Sequence, residues 1–128
     1  MVDVDYIMDL IDWNKDISEQ SVGIKLAQNV QSINVFLQPC NKKYNKNVWE
    51  NCAEILSERS DEELSPYLTE LLKWLQDMNW PGAFCILDRL KRYKDDRWFK
   101  YSYDGCFKCA VALDDEVWQN NLKIIERT

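Results

Sequence analysis

The chain has 128 residues, a length for one domain that buries about two-thirds of the surface its unfolded form exposes. An apolar fraction of 46% with six Trp supplies a full core without metal or disulfide, which argues against a disordered chain. The formal net charge of -6 argues against a surface that grips nucleic acid all round and suits a basic protein partner.

Residues 5–13 predict a short first helix with Ile7, Leu10 and Ile11 on one side. A second helix follows over 18–30, capped by Ser18, with Ile24, Ala27 and Val30 at helical spacing. Gly23 inside it marks close packing or a small break. The apolar run 31–38 continues as a further helical segment until Pro39 ends it, and CNKKYNKN over 40–47 is turn-like. Asn47 stands three before Glu50, the spacing of a reciprocal cap. Val48, Trp49, Cys52, Ile55 and Leu56 stripe the helix behind it, and Arg59 near its end meets the negative end of the helix dipole.

Ser60-Asp61-Glu62-Glu63 is the plainest helix start in the chain, since Ser60 and Glu63 satisfy each other's orphan amides. Leu64, Leu68, Leu71, Leu72 and Leu75 then give one face down to Met78. Asn79-Trp80-Pro81-Gly82 reads as a rigid corner, with Trp80 folded back over the helix pair and Pro81 in the first turn of the next helix. A link of about three residues makes the flanking helices antiparallel neighbours, and Ala83, Ile86, Leu87 and Leu90 face inward behind it.

Over 96–112, Gly105 interrupts the apolar set Trp98, Phe99, Tyr101, Phe107, Ala110 and Val111, which predicts a helix with a kink or restart near 105. Asp114 caps the last helix, 115–126, with Val117, Trp118, Leu122 and Ile125. The expected fold is all-α. A single domain over 1–128 holds five to seven helices packed as antiparallel pairs, either a short solenoid or a compact bundle.

The chain has no His, which removes Ser-His and Cys-His nucleophiles and His-based metal sites, and three Gly do not make a phosphate-cradling loop. No enzyme activity, cofactor or metal is expected. Cys106-Phe107-Lys108-Cys109 has the spacing of half a zinc site or a redox pair, but Cys40, Cys52 and Cys85 supply no second pair, so buried, inert thiols are expected. The N-terminal run MVDVDYIMDLIDW carries acids where a secretion signal carries Lys or Arg, and no apolar run is long enough for a membrane span. A cytoplasmic setting is the expectation.

The run from Ser60 to Leu90 holds Glu70-Leu71-Leu72-Lys73-Trp74-Leu75-Gln76-Asp77-Met78-Asn79-Trp80-Pro81, followed by Ala83. With the Ser60 to Glu63 cap and the Leu64, Pro66, Leu68 pattern, it resembles the DUF5071 family of small helical proteins. Asp114 to Ile125 fits the family more loosely, and the N-terminal 58 residues match nothing in it. The resemblance implies a HEAT-like helical fold without established catalytic residues. It also implies a bacterial setting, since some relatives of this type accompany toxin genes as immunity proteins.

Two surfaces are candidates for a partner. The acidic one gathers Asp61, Glu62, Glu63, Glu70, Asp77, Asp88, Asp114, Asp115 and Glu116, with Trp80 beside it. An immunity protein that blocks a basic toxin, such as a nuclease, offers carboxylates and aromatics in place of phosphates. The alternative is residues 89–103, where Arg89, Lys91, Arg92, Lys94, Arg97 and Lys100 interleave with Tyr93, Trp98, Tyr101 and Tyr103, a mix that tracks phosphates and stacks on bases. A general protein–protein adaptor shares the features of the immunity reading.

Overall fold

A computed structural model describes residues 3–39 and 43–125. Cys40, the start of the predicted turn, and residue 126 at the end of the last predicted helix lie outside the described residues. Asp3 caps α1 (Val4–Leu10), its carboxylate accepting from the Tyr6 amide at 3.2 Å. α2 (Ile17–Ala27) begins behind Asp16, so Ser18 lies inside its first turn and is not the cap. The two helices meet at Gly23. A Cβ there would sit 2.6 Å from Ile11 Cγ2 and 2.8 Å from Leu10 Cβ, so the glycine marks close packing within an unbroken helix. Before Pro39 the chain makes one 3-10 turn, Ile33–Phe36, that buries Ile33 and Phe36.

A 3-10 turn, Lys46–Val48, leads into α3 (Trp49–Ser57). The cap is Asn45, which accepts from the Asn47 amide at 2.8 Å; the reciprocal pair read at Asn47 and Glu50 does not form. The α3 stripe Val48, Trp49, Cys52, Ile55 and Leu56 is buried as its spacing predicts. Arg59 serves a different helix from the one expected. Its guanidinium donates to Ala27 O at 2.8 Å and Val30 O at 2.9 Å, closing the end of α2.

The Ser60–Glu63 capping box forms in full: the Glu63 amide donates to Ser60 Oγ at 3.1 Å, and the Ser60 amide to Glu63 Oε1 at 3.2 Å. It opens one rod built of α4 (Asp61–Leu64), a 3-10 turn (Ser65–Tyr67) where Pro66 lacks an amide, α5 (Leu68–Lys73) and a closing 3-10 turn (Trp74–Gln76). Leu64, Leu68, Leu71, Leu72 and Leu75 are all buried along it.

The corner at 77–82 packs helices together. Asp77 accepts from the Asn79 amide at 2.8 Å, and the Trp80 amide returns to Asp77 O at 3.0 Å. Gly82 then takes φ 87, with α3 pressed against it: a Cβ would lie 2.7 Å from Ala53 Cβ and 2.9 Å from Trp49 O. The next helix, α6 (Ala83–Lys91), starts only after Gly82, so Pro81 stands outside its first turn, and its carbonyl accepts from Trp74 Nε1 at 3.0 Å. Trp80 folds back edge-on against Trp49, with ring centroids 5.6 Å apart. α6 packs mainly on α3 and meets the preceding rod through its closing turn, Trp74–Gln76, so the short link does not make the two flanking helices each other's main partners.

α7 (Asp96–Ala112) continues through Gly105 as one helix, with no restart there. Glycine inside a helix costs about 1 kcal/mol, which the inner face of α7 outweighs. Tyr93, Phe99, Tyr103 and Phe107 stack there in succession, with centroids 6.2, 5.9 and 6.1 Å apart. α8 (Glu116–Lys123) is capped by Asp115, which accepts from the Trp118 amide at 2.9 Å, while Asp114 adopts left-handed φ 55 ahead of the cap. Trp118 Nε1 donates to Leu72 O at 3.2 Å and Asn121 Nδ2 to Leu75 O at 2.7 Å, tying α8 to the leucine rod. With α4 and α5 counted as one rod, the described residues form seven helical bodies around one core, an all-α fold. Among them no helix is long and apolar enough to cross a membrane.

Candidate interaction surface

The acids expected on one surface divide by the work they do inside the fold. Asp61 Oδ1 accepts from Arg89 Nη2 at 2.5 Å, and Oδ2 from the Lys94 amide at 3.0 Å. Burial alone would raise the Asp61 carboxyl, but the guanidinium and the amide outweigh it and hold it below its ordinary value. Glu63 is held low mainly by Arg59, 2.9 Å away, and then by the Ser60 amide. Asp77 and Asp115 are committed to backbone amides at the corner and at the start of α8. Glu62, Asp114 and Glu116 are exposed, Glu70 is half-buried, and Asp88 pairs with Arg92 at 3.4 Å in the open.

The structure places a different acidic group at the α3–α6 contact. Glu50, Glu54 and Glu58 follow at four-residue spacing along the outer side of α3, all exposed. On the adjoining helix, Phe84 and Asp88 are also four apart and face outward; Phe84 is 68% exposed. Between the helices lies half-buried Cys85. Burial raises its thiol, a hydrogen bond with Ser57 opposes this, and the fields of Glu54, Glu50 and Asp88 raise it further. Among the described residues none of Glu50, Glu54 or Glu58 forms an ion pair.

Two of these acids stand where the helix dipole opposes them, while Glu50 lies in the first turn of α3, where it is favoured. Like charges at four-residue spacing destabilise a helix. Glu54 lies in the last turn of α3 and Glu58 is its C-terminal cap, where the dipole favours cations. The sequence held a signal that was passed over: three Glu at one helical phase, opposite the buried stripe, and Phe84 off the inward phase of Ala83, Ile86, Leu87 and Leu90.

The basic segment is divided in the same way. Arg89 is buried, donating to Arg59 O at 3.0 Å as well as to Asp61. Tyr93 and Tyr103 belong to the inner aromatic stack. What faces outward is Lys91, Arg92, Lys94, Arg97, Trp98, Lys100 and Tyr101, with the Arg97 guanidinium 5.6 Å from the Trp98 ring and Lys100 paired to Asp104 at 3.2 Å. Cys106 is buried as expected, but Cys109 is exposed, on the edge of the α7 face that buries Phe99, Cys106 and Ala110.

Residues 37–125 match a family described as a domain of unknown function, DUF5071. The match reaches well beyond the corner motif and takes in α3 and its approach, which the sequence alone left outside the family. No curated protein and no solved structure gives a match.

Proposed function

The chain belongs to the DUF5071 family, and on that premise we propose that it is a non-catalytic protein-binding module, an immunity protein that captures and neutralises a basic toxin such as a nuclease. The observation that carries this reading is the group Glu50, Glu54, Glu58 and Asp88 beside exposed Phe84. Glu54 and Glu58, kept at the unfavourable end of α3 without internal cations, weaken the fold, and together with Glu50 and Asp88 they attract a cationic partner. Phe84 supplies the apolar anchor that charge alone lacks. The absence of His supports a non-catalytic role. A HEAT-like stacking and a bacterial, cytoplasmic setting belong to the same reading. Nucleic-acid binding is the weaker alternative, since Arg89, Tyr93 and Tyr103 are turned to internal work.

The test is capture from lysate of the source cells by the purified chain and by a Glu50→Lys, Glu54→Lys, Asp88→Lys variant with unchanged circular dichroism. The expected result is a basic protein held by the first and released by the second, whose toxicity on expression is relieved by the unmodified chain alone. Equal retention of the same proteins by both would refute the acidic face.

A further inference from the structure

The outer face of α7 lies away from the aromatic stack that joins this helix to the core. Trp98, Tyr101, Gly105, Cys109 and Ala112 follow one another along it at three- and four-residue spacing, and all are exposed. Trp98 is 50% exposed and Tyr101 78%, which leaves a continuous apolar strip. Gly105 is the odd residue. Its φ is not positive, and a Cβ there would meet nothing within 4 Å. Neither backbone geometry nor internal packing requires glycine, although glycine is less favourable than alanine inside a helix. What it provides is a notch of bare backbone between Tyr101 and Cys109, where a second helix can approach closely.

Size and charge along the strip are self-complementary. The N-terminal half carries the large side chains Trp98 and Tyr101 and the cations Arg97 and Lys100; the C-terminal half carries the small Cys109 and Ala112 and runs on to Asp114 and Glu116. We propose that α7 docks antiparallel on α7 of a second copy, about a two-fold axis through Gly105. In that register Trp98 comes level with Ala112 of the partner copy and Tyr101 with its Cys109, so large meets small at each level. Arg97 comes level with Leu113 beside Asp114. Asp104 and Lys108 share one flank of the helix, and antiparallel pairing brings each against its opposite on the other copy. Among the described residues Lys108 forms no ion pair, and Asp104 is held by the exposed Lys100. The strip shares no residue with the Glu50, Glu54, Phe84 and Asp88 group, so the two surfaces are tested by separate variants.

The experiment is sedimentation equilibrium of the full chain from about 1 to about 500 µM, a range that brackets a small interface. The unmodified chain is expected to rise to twice the monomer mass. Gly105→Arg, which fills open space and spares the fold, is expected to weaken the dimer by more than about tenfold, with helix content intact. Lys108→Asp weakens it as well, and adding Asp104→Lys restores it. A mass that stays monomeric throughout, or a dimer indifferent to Gly105→Arg, would overturn the proposal. So would a monomer whose α7 variants lose binding to a single-stranded oligonucleotide instead.

Discussion

Two glycines give opposite answers to the same substitution. Gly82→Ala puts a methyl group 2.7 Å from Ala53 Cβ and 2.9 Å from Trp49 O, at φ 87. The left-handed backbone costs about 1–2 kcal/mol for a residue with a Cβ, and overpacking against α3 adds about 1–3 kcal/mol. Relief is limited because one neighbour is a backbone oxygen and the other a Cβ fixed to a helix. A total of about 3 kcal/mol follows. With an unfolding entropy of about 2.1 cal/mol/K per residue, the 128-residue chain loses about 4 °C in Tm for each kcal/mol. Gly82→Ala should therefore melt about 11 °C lower. Gly105→Ala meets nothing within 4 Å inside a helix, so it should gain about 1 kcal/mol and melt about 4 °C higher. Thermal unfolding followed by circular dichroism, at dilute protein so that association does not contribute, measures both. A Gly82→Ala midpoint within about 3 °C of the unmodified chain, or a Gly105→Ala midpoint below it, would show the packing argument to be wrong.

Three other outcomes follow from the charged residues. Arg89 and the Lys94 amide hold folded Asp61 below its ordinary 3.8, so the unfolded chain takes up the proton first as pH falls; the contribution is full above that value and lost below it, and the stability gap between the unmodified chain and Asp61→Asn should close as urea midpoints are followed below about pH 4. Glu54→Lys removes repulsion from Glu50 and Glu58 and places a cation at the end of α3, so it should stabilise the fold by about 1 kcal/mol, read as a higher melting midpoint, while weakening capture of the basic partner. Arg59→Met strips the end of α2 of two hydrogen bonds, for about 2 kcal/mol; hydrogen exchange should quicken in α2 and leave α8 unchanged.

Local pairs were legible in the sequence and distant ones were not. The Ser60–Glu63 box could be read because both partners lie within one turn of the backbone. The Leu64 to Leu75 face could be read because burial follows helical phase, and the position of the corner could be read from Pro81 and Gly82, but not that Pro81 stands before the helix or that Trp80 packs on Trp49 of α3. Arg59 was assigned to its own helix, since nothing in the sequence announces that Ala27 and Val30 carbonyls lie within its reach. Arg89 read as surface charge until its pairing with Asp61 appeared. The meeting of Glu50 and Glu54 with Phe84 and Asp88 depends on α6 lying against α3, a tertiary contact between helices some thirty residues apart in the chain. Asp114 and Asp115 are equally good caps on paper, and only the left-handed turn at Asp114 decides between them.

The first two helices precede the family match, yet they are held by side chains that lie inside it. Asn51 Nδ2 reaches Ile11 O at 2.8 Å, and Arg59 reaches Ala27 O and Val30 O. In these three bonds the family portion supplies the side chain and the hairpin supplies a main-chain oxygen, which every amino acid possesses, while Asn51 Nδ2 also donates to the Gln20 side chain at 2.9 Å and the Tyr44 hydroxyl to the Asp5 carboxylate. The attachment is therefore a socket that reads shape more than spelling: Asn51 and Arg59 are its fixed jaws, and a helical hairpin of similar path that keeps Asp5 and Gln20 could be seated in them. Grafting a foreign hairpin at this junction would need to respect the backbone trace and the small residue at Gly23, with wide freedom elsewhere on its outer face.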